Sequence, residues 1–290
     1  MARKLLNIKF QGGIHMIIQH NMAAANTNRQ LGITTGRLAK STEKLSSGYK
    51  INRAGDNAAG LTISEKMRAQ IRGLEQASTN AQDGISLIQT AEGALNETQA
   101  ILQRMRELAV QASNDTNVSA DRAAIKKELT ALIEEVDRIS EQTEFNKMTL
   151  LDGDFNNKFL QVGANAGQNV EISIGNMSAT ELGIDGVADE ITEDAGHDEI
   201  TALITTIQGA LDDVSEARSN LGALQNRLEH TIANADNTAE NLQAAESRIR
   251  DVDMAKEMVK FAKDTILQQA AQSMLAQANQ QTQGVLALLQ

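Results

Sequence analysis

The 290-residue chain has no proline, no tryptophan and no cysteine, and aromatic residues make up only 2% of it. At ordinary usage of about 5%, roughly fourteen prolines would be expected. Their absence permits long uninterrupted helices, because proline inside a helix costs about 3 kcal/mol. It also removes slow prolyl isomerisation from folding. Without cysteine there is no disulfide framework and no thiol chemistry, which suits a protein that crosses redox compartments. So few large aromatics imply thin cores of Leu, Ile, Ala and Met, and such cores fit coiled coils and bundles better than one deep globule. The formal charge of −11 and the pI near 4.9 argue against nucleic-acid binding, since phosphate contacts need a basic surface. No run of eighteen apolar residues exists, so no transmembrane helix is expected and no membrane insertion. Arg3 and Lys4 could start a secretory signal, but Asn7, Lys9 and Gln11 break the apolar run too early.

What is present is a long seven-residue rhythm. Met67, Leu74, Ala81, Ile88, Leu95, Leu102 and Ala109 recur without a slip, with Ile71 and Ile85 as companions. This predicts one helix over about 57–113. Residues 113–117 (Ser-Asn-Asp-Thr-Asn) break it, and Ile125, Leu129, Leu132, Val136 and Ile139 carry a second, antiparallel helix over 120–142. Far downstream, Ile200, Ile207, Val214, Leu221, Leu228, Ala235, Leu242 and Ile249 mark a third over 198–250. Two seams from opposite halves of the chain need a common partner. The economical fold is mainly α: an elongated antiparallel helical bundle or coiled coil built from both chain ends, with a small β-hairpin region in the middle.

That middle begins near Leu150. Phe159–Val162 and Val170–Ile174 alternate as strands, and Gly163–Gly167 reads as the hairpin loop between them. Residues 176–197 are acidic and turn-rich and read as a solvated loop. Upstream, Leu31, Leu38 and Leu45 stripe a helix that Ser46, Ser47 and Gly48 stop. Asp56 or Asn57 can cap the next one. The ends, 20–47 and 254–290, are rich in Ala, Gln, Asn, Thr and Ser, with weak stripes such as Met254–Met258–Phe261. Neither buries enough apolar surface to offset its ordering entropy alone. The ends are therefore expected to become helical only when neighbours arrive.

Signals for chemistry are weak. His15 and His20 are five apart, a poor ligand spacing, and no His-Glu-x-x-His occurs among the four histidines, which include His197 and His230. The acidic residues Asp185, Asp189, Glu190, Glu193, Asp194, Asp198 and Glu199 lack the alternation of a calcium loop. Gly163-x-x-x-Gly167 lacks the Lys-Ser/Thr of a phosphate cradle. No catalytic nucleophile, metal site or cofactor loop is signalled, so neither an enzyme nor a cofactor is expected. Arg104, Arg106 and Glu107 lie off the long seam, on what reads as a solvated helix face with local ion pairs.

The residues themselves carry a further likeness. The run Leu45–Ser64 resembles the start of the core of bacterial flagellin, the flagellar filament subunit. So do Asn80–Ser86, Thr90–Leu95, Gln103–Gln111, Gln142–Asn146, Ser247–Asp253, Leu267–Ala270, Met274–Gln280 and Val285–Leu289. The likeness covers about 16–175 and 200–290, in the family's order. One departure is Thr282, where many flagellins carry proline. The resemblance implies a self-assembling filament subunit, placed outside the cell in the flagellum. It would leave through the flagellar export apparatus without a cleaved signal peptide, held by a flagellin export chaperone, and meet filament cap and hook-junction proteins. It also implies recognition of the exposed monomer by host Toll-like receptor 5, through Gln103, Arg104, Glu107, Leu108, Gln111 and Glu128. An exposed Leu108 beside Arg104 is expected to act as the anchor. Assembly is assigned to Leu31, Leu38, Leu45, Met258, Phe261, Leu267, Met274, Leu275, Val285 and Leu288. Rival readings are a hook–filament junction protein and a secreted coiled-coil binding protein.

The expected division is therefore 16–56 with 251–290 as a terminal, filament-lining domain, and 57–175 with 198–250 as a core bundle carrying the hairpin 159–174. Residues 176–197 stand as a short loop in place of outer domains. Met1–His15 has no counterpart in the resemblance. Gln11-Gly12-Gly13 can be encoded as CAAGGAGG, a strong ribosome-binding sequence, and the two codons for Ile14 and His15 then precede that of Met16. We therefore expect a non-native leader, read through from a start placed too far upstream. N-terminal sequencing of native filaments should begin at Met16 or Ile17, whereas a chain beginning at Met1 or Ala2 overturns the expectation.

Overall fold

The computed structural model describes residues 20–114, 116–191 and 197–288; the proposed leader and residues 192–196 lie outside them. Five helices follow in the order α1 (Met22–Ser47), α2 (Ala58–Ala112), α3 (Ser119–Gln142), α4 (His197–Arg250) and α5 (Met254–Leu288). Between α3 and α4 run four short strands, β1 (Glu144–Phe145), β2 (Met148–Thr149), β3 (Lys158–Gln161) and β4 (Asn169–Ile172). The chain divides into two compact units, residues 65–245 and residues 1–64 with 246–290.

In the 65–245 unit the seven-residue seams become the core. Ala81, Ile88, Leu95, Leu102 and Ala109 of α2, Ile125, Leu129 and Val136 of α3, and Ile200, Ile207, Val214, Leu221 and Leu228 of α4 are all buried in one cluster. α2 carries a second buried stripe that its seam did not announce: Ala91, Thr98, Met105 and Ala112, with Leu108 beside them. A helix flanked by two others needs two apolar faces, and its side chains at i+3 and i+4 supply them. Arg218 ties α4 to α2 by donating to Gln99 and by pairing with Glu92 at 3.5 Å.

The hairpin β3–β4 is antiparallel, pairing Lys158 with Ile172 and Gln161 with Asn169. It lies close against α2, where two glycines make room. A Cβ on Gly84 would come within 2.3 Å of the Leu160 side chain, and one on Gly73 within 2.8 Å of Ala164 Cβ. The Asn80 amide donates to the Gln161 carbonyl at 3.1 Å. A smaller hairpin, β1–β2, turns through Asn146 and Lys147, both at positive φ (50° and 63°). Two left-handed turn residues match the twist of a tight hairpin, but Asn-Lys is not the Asn-Gly signature, so sequence reading missed it.

The segment after β4 corrects the expectation of a solvated loop. Its turns bury Ala179, Leu182, Ile184, Val187, Ala188 and Ile191 in the core, and Asp137 of α3 accepts the Ala179 N–H at 2.7 Å. Its acidic side chains face water, among them Asp185, Asp189 and Glu190, as does Thr180. Apolar residues spaced by two, three and four fit neither regular period, which hid their burial.

In the terminal unit, α1 and α5 pack closely against each other along their lengths. They are antiparallel: Asn21 Nδ2 donates to the Ala278 carbonyl at 3.0 Å, and Ser41 Oγ to Glu257 Oε1 at 2.8 Å. Both ends are helical over their described lengths, each helix packed against the other. Gly48 ends α1 at φ 75°, its N–H bonding the Lys44 carbonyl at 2.9 Å. Asn57 caps α2 by accepting the Gly60 N–H at 2.9 Å. Asp56 instead closes the elbow, accepting from Asn52 and Arg53 N–H at 3.2 and 3.1 Å. The joint between α4 and α5 zips onto this elbow: Lys50 N–H donates to the Arg250 carbonyl at 2.6 Å and Val252 N–H to that of Gly48 at 3.0 Å. The Arg250 guanidinium covers the Tyr49 ring at 4.8 Å.

Because Leu102 is fully buried in the shared cluster, Leu102→Ala should destabilise the protein by about 2–5 kcal/mol. Denaturant unfolding followed by helical circular dichroism should show the shift.

Candidate interaction surfaces

Among the described residues no group of three or more His, Cys, Asp or Glu is placed to hold a metal. His20 and His230 are exposed; His15 and the His197 side chain lie outside the described residues. The candidate sites are therefore surfaces.

The first lies where α2 meets α3. Arg104 donates to Glu128 Oε1 through Nε at 3.0 Å and Nη2 at 2.9 Å, and to Glu107 Oε2 through Nη1 at 3.0 Å. Those bonds, to Glu128 first and then Glu107, push its pKa further up, so it is charged at any accessible pH. Gln103, Arg104, Glu107, Gln111 and Glu128 are all exposed and form one polar patch. Leu108 does not join them. It is 2% exposed and belongs to the core, so the expected exposed anchor is corrected. Position 108 falls on the second stripe of α2, three residues after Met105. A seam reading limited to one heptad face could not see it. Val110, 52% exposed, is the apolar side chain that does stand at the surface nearby, with Gln103 and Glu107 around the same recess.

The second surface is the terminal pair. Leu31, Leu38 and Leu45 of α1 and Phe261 and Leu275 of α5 are half-buried. Met258, Leu267 and Met274 are exposed. The side chains of Val285 and Leu288 lie outside the described residues. Sequence reading missed more of the exposed set: Met22, Ile33, Val259 at 70% and Ile266 at 66%. The signal was available as apolar residues off the stripe, on a helix face that should be polar. Such residues on two adjacent helices mark a contact surface.

Between α1 and α5 the seam is polar. Thr34, Ser41, Glu257 and Asp264 are buried there, each pair seven residues apart on its helix. Burial pushes the Glu257 pKa up, yet the Ser41 hydroxyl and the Lys260 ammonium at 3.0 Å together hold it below its usual 4.5.

The geometry defines a class: a mainly helical subunit with two small hairpins and with large apolar side chains exposed on its terminal helices. Comparison with known proteins names the family. Residues 18–156 match the bacterial flagellin N-terminal helical region and residues 204–289 the bacterial flagellin C-terminal helical region. The chain is 59% identical to flagellin of Halalkalibacterium halodurans and 52% identical to flagellin of Bacillus subtilis, with 94% of this chain and 100% of each relative covered. It is 51% identical to the flagellar filament 31.3 kDa core protein of Treponema maltophilum, over 95% of this chain and 100% of that protein. The chain belongs to the bacterial flagellin family; it is a structural subunit of the flagellar filament, not an enzyme.

Two outcomes follow. Leu108→Ala should lower stability by about 2–5 kcal/mol, whereas Arg104→Ala, on the surface, should leave the unfolding midpoint nearly unchanged. A carboxyl whose folded pKa is depressed stabilises fully above its unfolded pKa and loses that contribution as pH falls through the folded one. The α1–α5 pair should therefore loosen as pH drops below about 4.5. Helicity of the terminal unit against pH should flatten in Glu257→Gln.

Proposed function

We propose that the chain polymerises through the outward apolar faces of α1 and α5, by heterologous contacts that do not close and so generate a helical tube. The observation that carries this reading is the row of exposed Met258, Val259, Ile266, Leu267 and Met274 on α5, in a chain that matches flagellins along their whole length. That full-length likeness favours the filament over the junction and secreted coiled-coil readings. The terminal helices would line the channel, the core bundle would form the wall, and the β3–β4 hairpin would contribute to axial packing. Export would use the flagellum's own channel without a cleaved signal, with α5 held by an export chaperone before it pairs with α1. Growth would start on hook-junction proteins beneath the filament cap.

The test is deletion. Removing 254–290 should leave a soluble, helical, monomeric core that no longer extends filament seeds, as seen by pelleting and negative-stain microscopy; filaments from the truncated chain would refute the reading. The thin seam of the terminal unit gives a second outcome. In the monomer, amides of α1 and α5 should exchange with solvent faster than those of 81–109, and in the filament they should become protected. Equal protection of α1 and α5 in both states removes the coupling of their order to assembly.

Recognition by Toll-like receptor 5 is supported by the exposed cluster of Gln103, Arg104, Glu107, Gln111 and Glu128, which keeps its arginine held out on two carboxylates. Leu108 would act beneath it, by holding α2 in place. Arg104→Ala should weaken monomer binding by about tenfold or more, as hot-spot arginines do. Unchanged affinity in a titration with the receptor ectodomain would show that the patch is not the site.

A further inference from the structure

The charge of this chain is unevenly divided. The 65–245 unit carries thirteen Lys and Arg against thirty-one Asp and Glu, while the described residues of the terminal unit, 20–64 and 246–288, carry eleven against seven. A protein with eighteen net negative charges on one unit repels its own copies through that unit. It has four net positive charges to offer on the other. Within the terminal unit the positive side chains gather around one recess of about 520 Å³, lined by Lys40, Lys44, Lys50, Lys256 and Lys260.

The carboxylates of that recess are already engaged. Asp56 accepts two backbone N–H groups, from Asn52 and Arg53, and these hold its pKa down. Asp253 accepts the Lys256 N–H at 3.1 Å and pairs with the Lys256 ammonium at 3.1 Å. Glu257 is taken by Ser41 and Lys260. Lys40, Lys44 and Lys50 form no ion pair among the described residues. Lys44 sits in the last turn of α1, where a cation favours the negative helix end. Lys40 and Lys44 also lie near enough to Asp56 to help hold its pKa down, without an ion-pair contact. In an otherwise acidic protein, three ammonium groups free of ion-pair contacts at one concave place suit an acidic partner.

We infer that the Lys40–Lys44–Lys50 recess receives the acidic 65–245 unit of a second copy of this chain. The inference rests on the filament reading above and adds to it an electrostatic contact alongside the apolar one. Ionic screening limits charge effects to roughly 8–10 Å at ordinary salt, so the attraction acts only in direct contact.

Two measurements on the full chain test it. Filaments grown from equal amounts of 14N- and 15N-labelled subunits are treated with a carbodiimide, which joins an ammonium to a carboxylate in contact. Mixed-label peptides should link Lys40, Lys44 or Lys50 to Asp or Glu of 65–245; mixed-label links that avoid all three lysines overturn the inference. In parallel, K40Q/K44Q/K50Q should raise the critical concentration for seeded growth about tenfold at low salt. The difference should shrink near 1 M salt, where the screening length falls to about 3 Å. The K40R/K44R/K50R chain, which keeps the charge, should behave as wild type. Equal critical concentrations for the Gln and wild-type chains overturn the inference and leave the filament reading standing; a wild-type chain that never extends seeds overturns both.

Discussion

The constraint on which the 65–245 unit depends is that α2 must serve two neighbours at once. A single helix of 55 residues supplies the seam of Ala81, Ile88, Leu95, Leu102 and Ala109 and the second stripe of Ala91, Thr98, Met105, Leu108 and Ala112. A proline anywhere in it would remove a hydrogen bond and bend both stripes out of register, so its absence from the sequence is a condition of the fold. The double duty also narrows what remains for the surface. In the 103–111 stretch only Gln103, Arg104, Arg106, Glu107, Val110 and Gln111 face outward, and any partner approaching there meets a charged strip resting on a fully packed floor.

The terminal unit follows a different rule. Thr34, Ser41, Glu257 and Asp264 occupy positions that Leu or Ile would fill in a stable coiled coil. Small and polar residues let two helices approach closely, but they remove apolar area worth about 25 cal/mol per Å² from the pairing. A buried polar contact such as Ser41 with Glu257 sets register better than it adds stability. The larger apolar side chains that could have filled the seam stand on the outside instead, at Val259 and Ile266. A helix pair that buries polar residues beside half-buried Leu31, Leu38 and Phe261, and leaves Val259 and Ile266 exposed, has apolar surface left for a partner to cover.

The regular parts of this fold were legible in the sequence because they obey one period. The heptads gave α2, α3 and α4 to within a residue or two, and alternation placed β3 and β4 to within a residue or two as well. What escaped obeyed two rules at once or none. Leu108 was hidden because a helix with two neighbours has two stripes and a one-stripe reading assigns the second to solvent. The buried turns of 177–191 have no period. The β1–β2 turn through Asn146 and Lys147 needs two left-handed residues that its composition does not advertise. The ends 16–56 and 251–290 were expected in one domain, but the polar seam by which α1 and α5 pair was hidden, because each helix alone lacks apolar burial and the sum was not visible from either. The exposed patch around Arg104 was legible as charge spacing, but its bridge to Glu128 of α3 spans 24 positions in the chain and required the antiparallel packing to be seen.

The polar seam and the division of charge bear on the same problem, which is how identical subunits meet at unlike faces. A surface that complements itself produces a closed pair, whereas an open tube needs face A to prefer face B. Apolar contacts alone are poor at this, because any exposed apolar stripe accepts any other. Charge discriminates: opposed signs attract and like signs juxtaposed are penalised. In this chain the acidic unit and the basic recess lie on different stretches of the same molecule, so charge adds a preference for contact between those unlike surfaces. On the proposed assembly, Val259 and Ile266 would supply the attraction and the lysines beside Gly48 the direction.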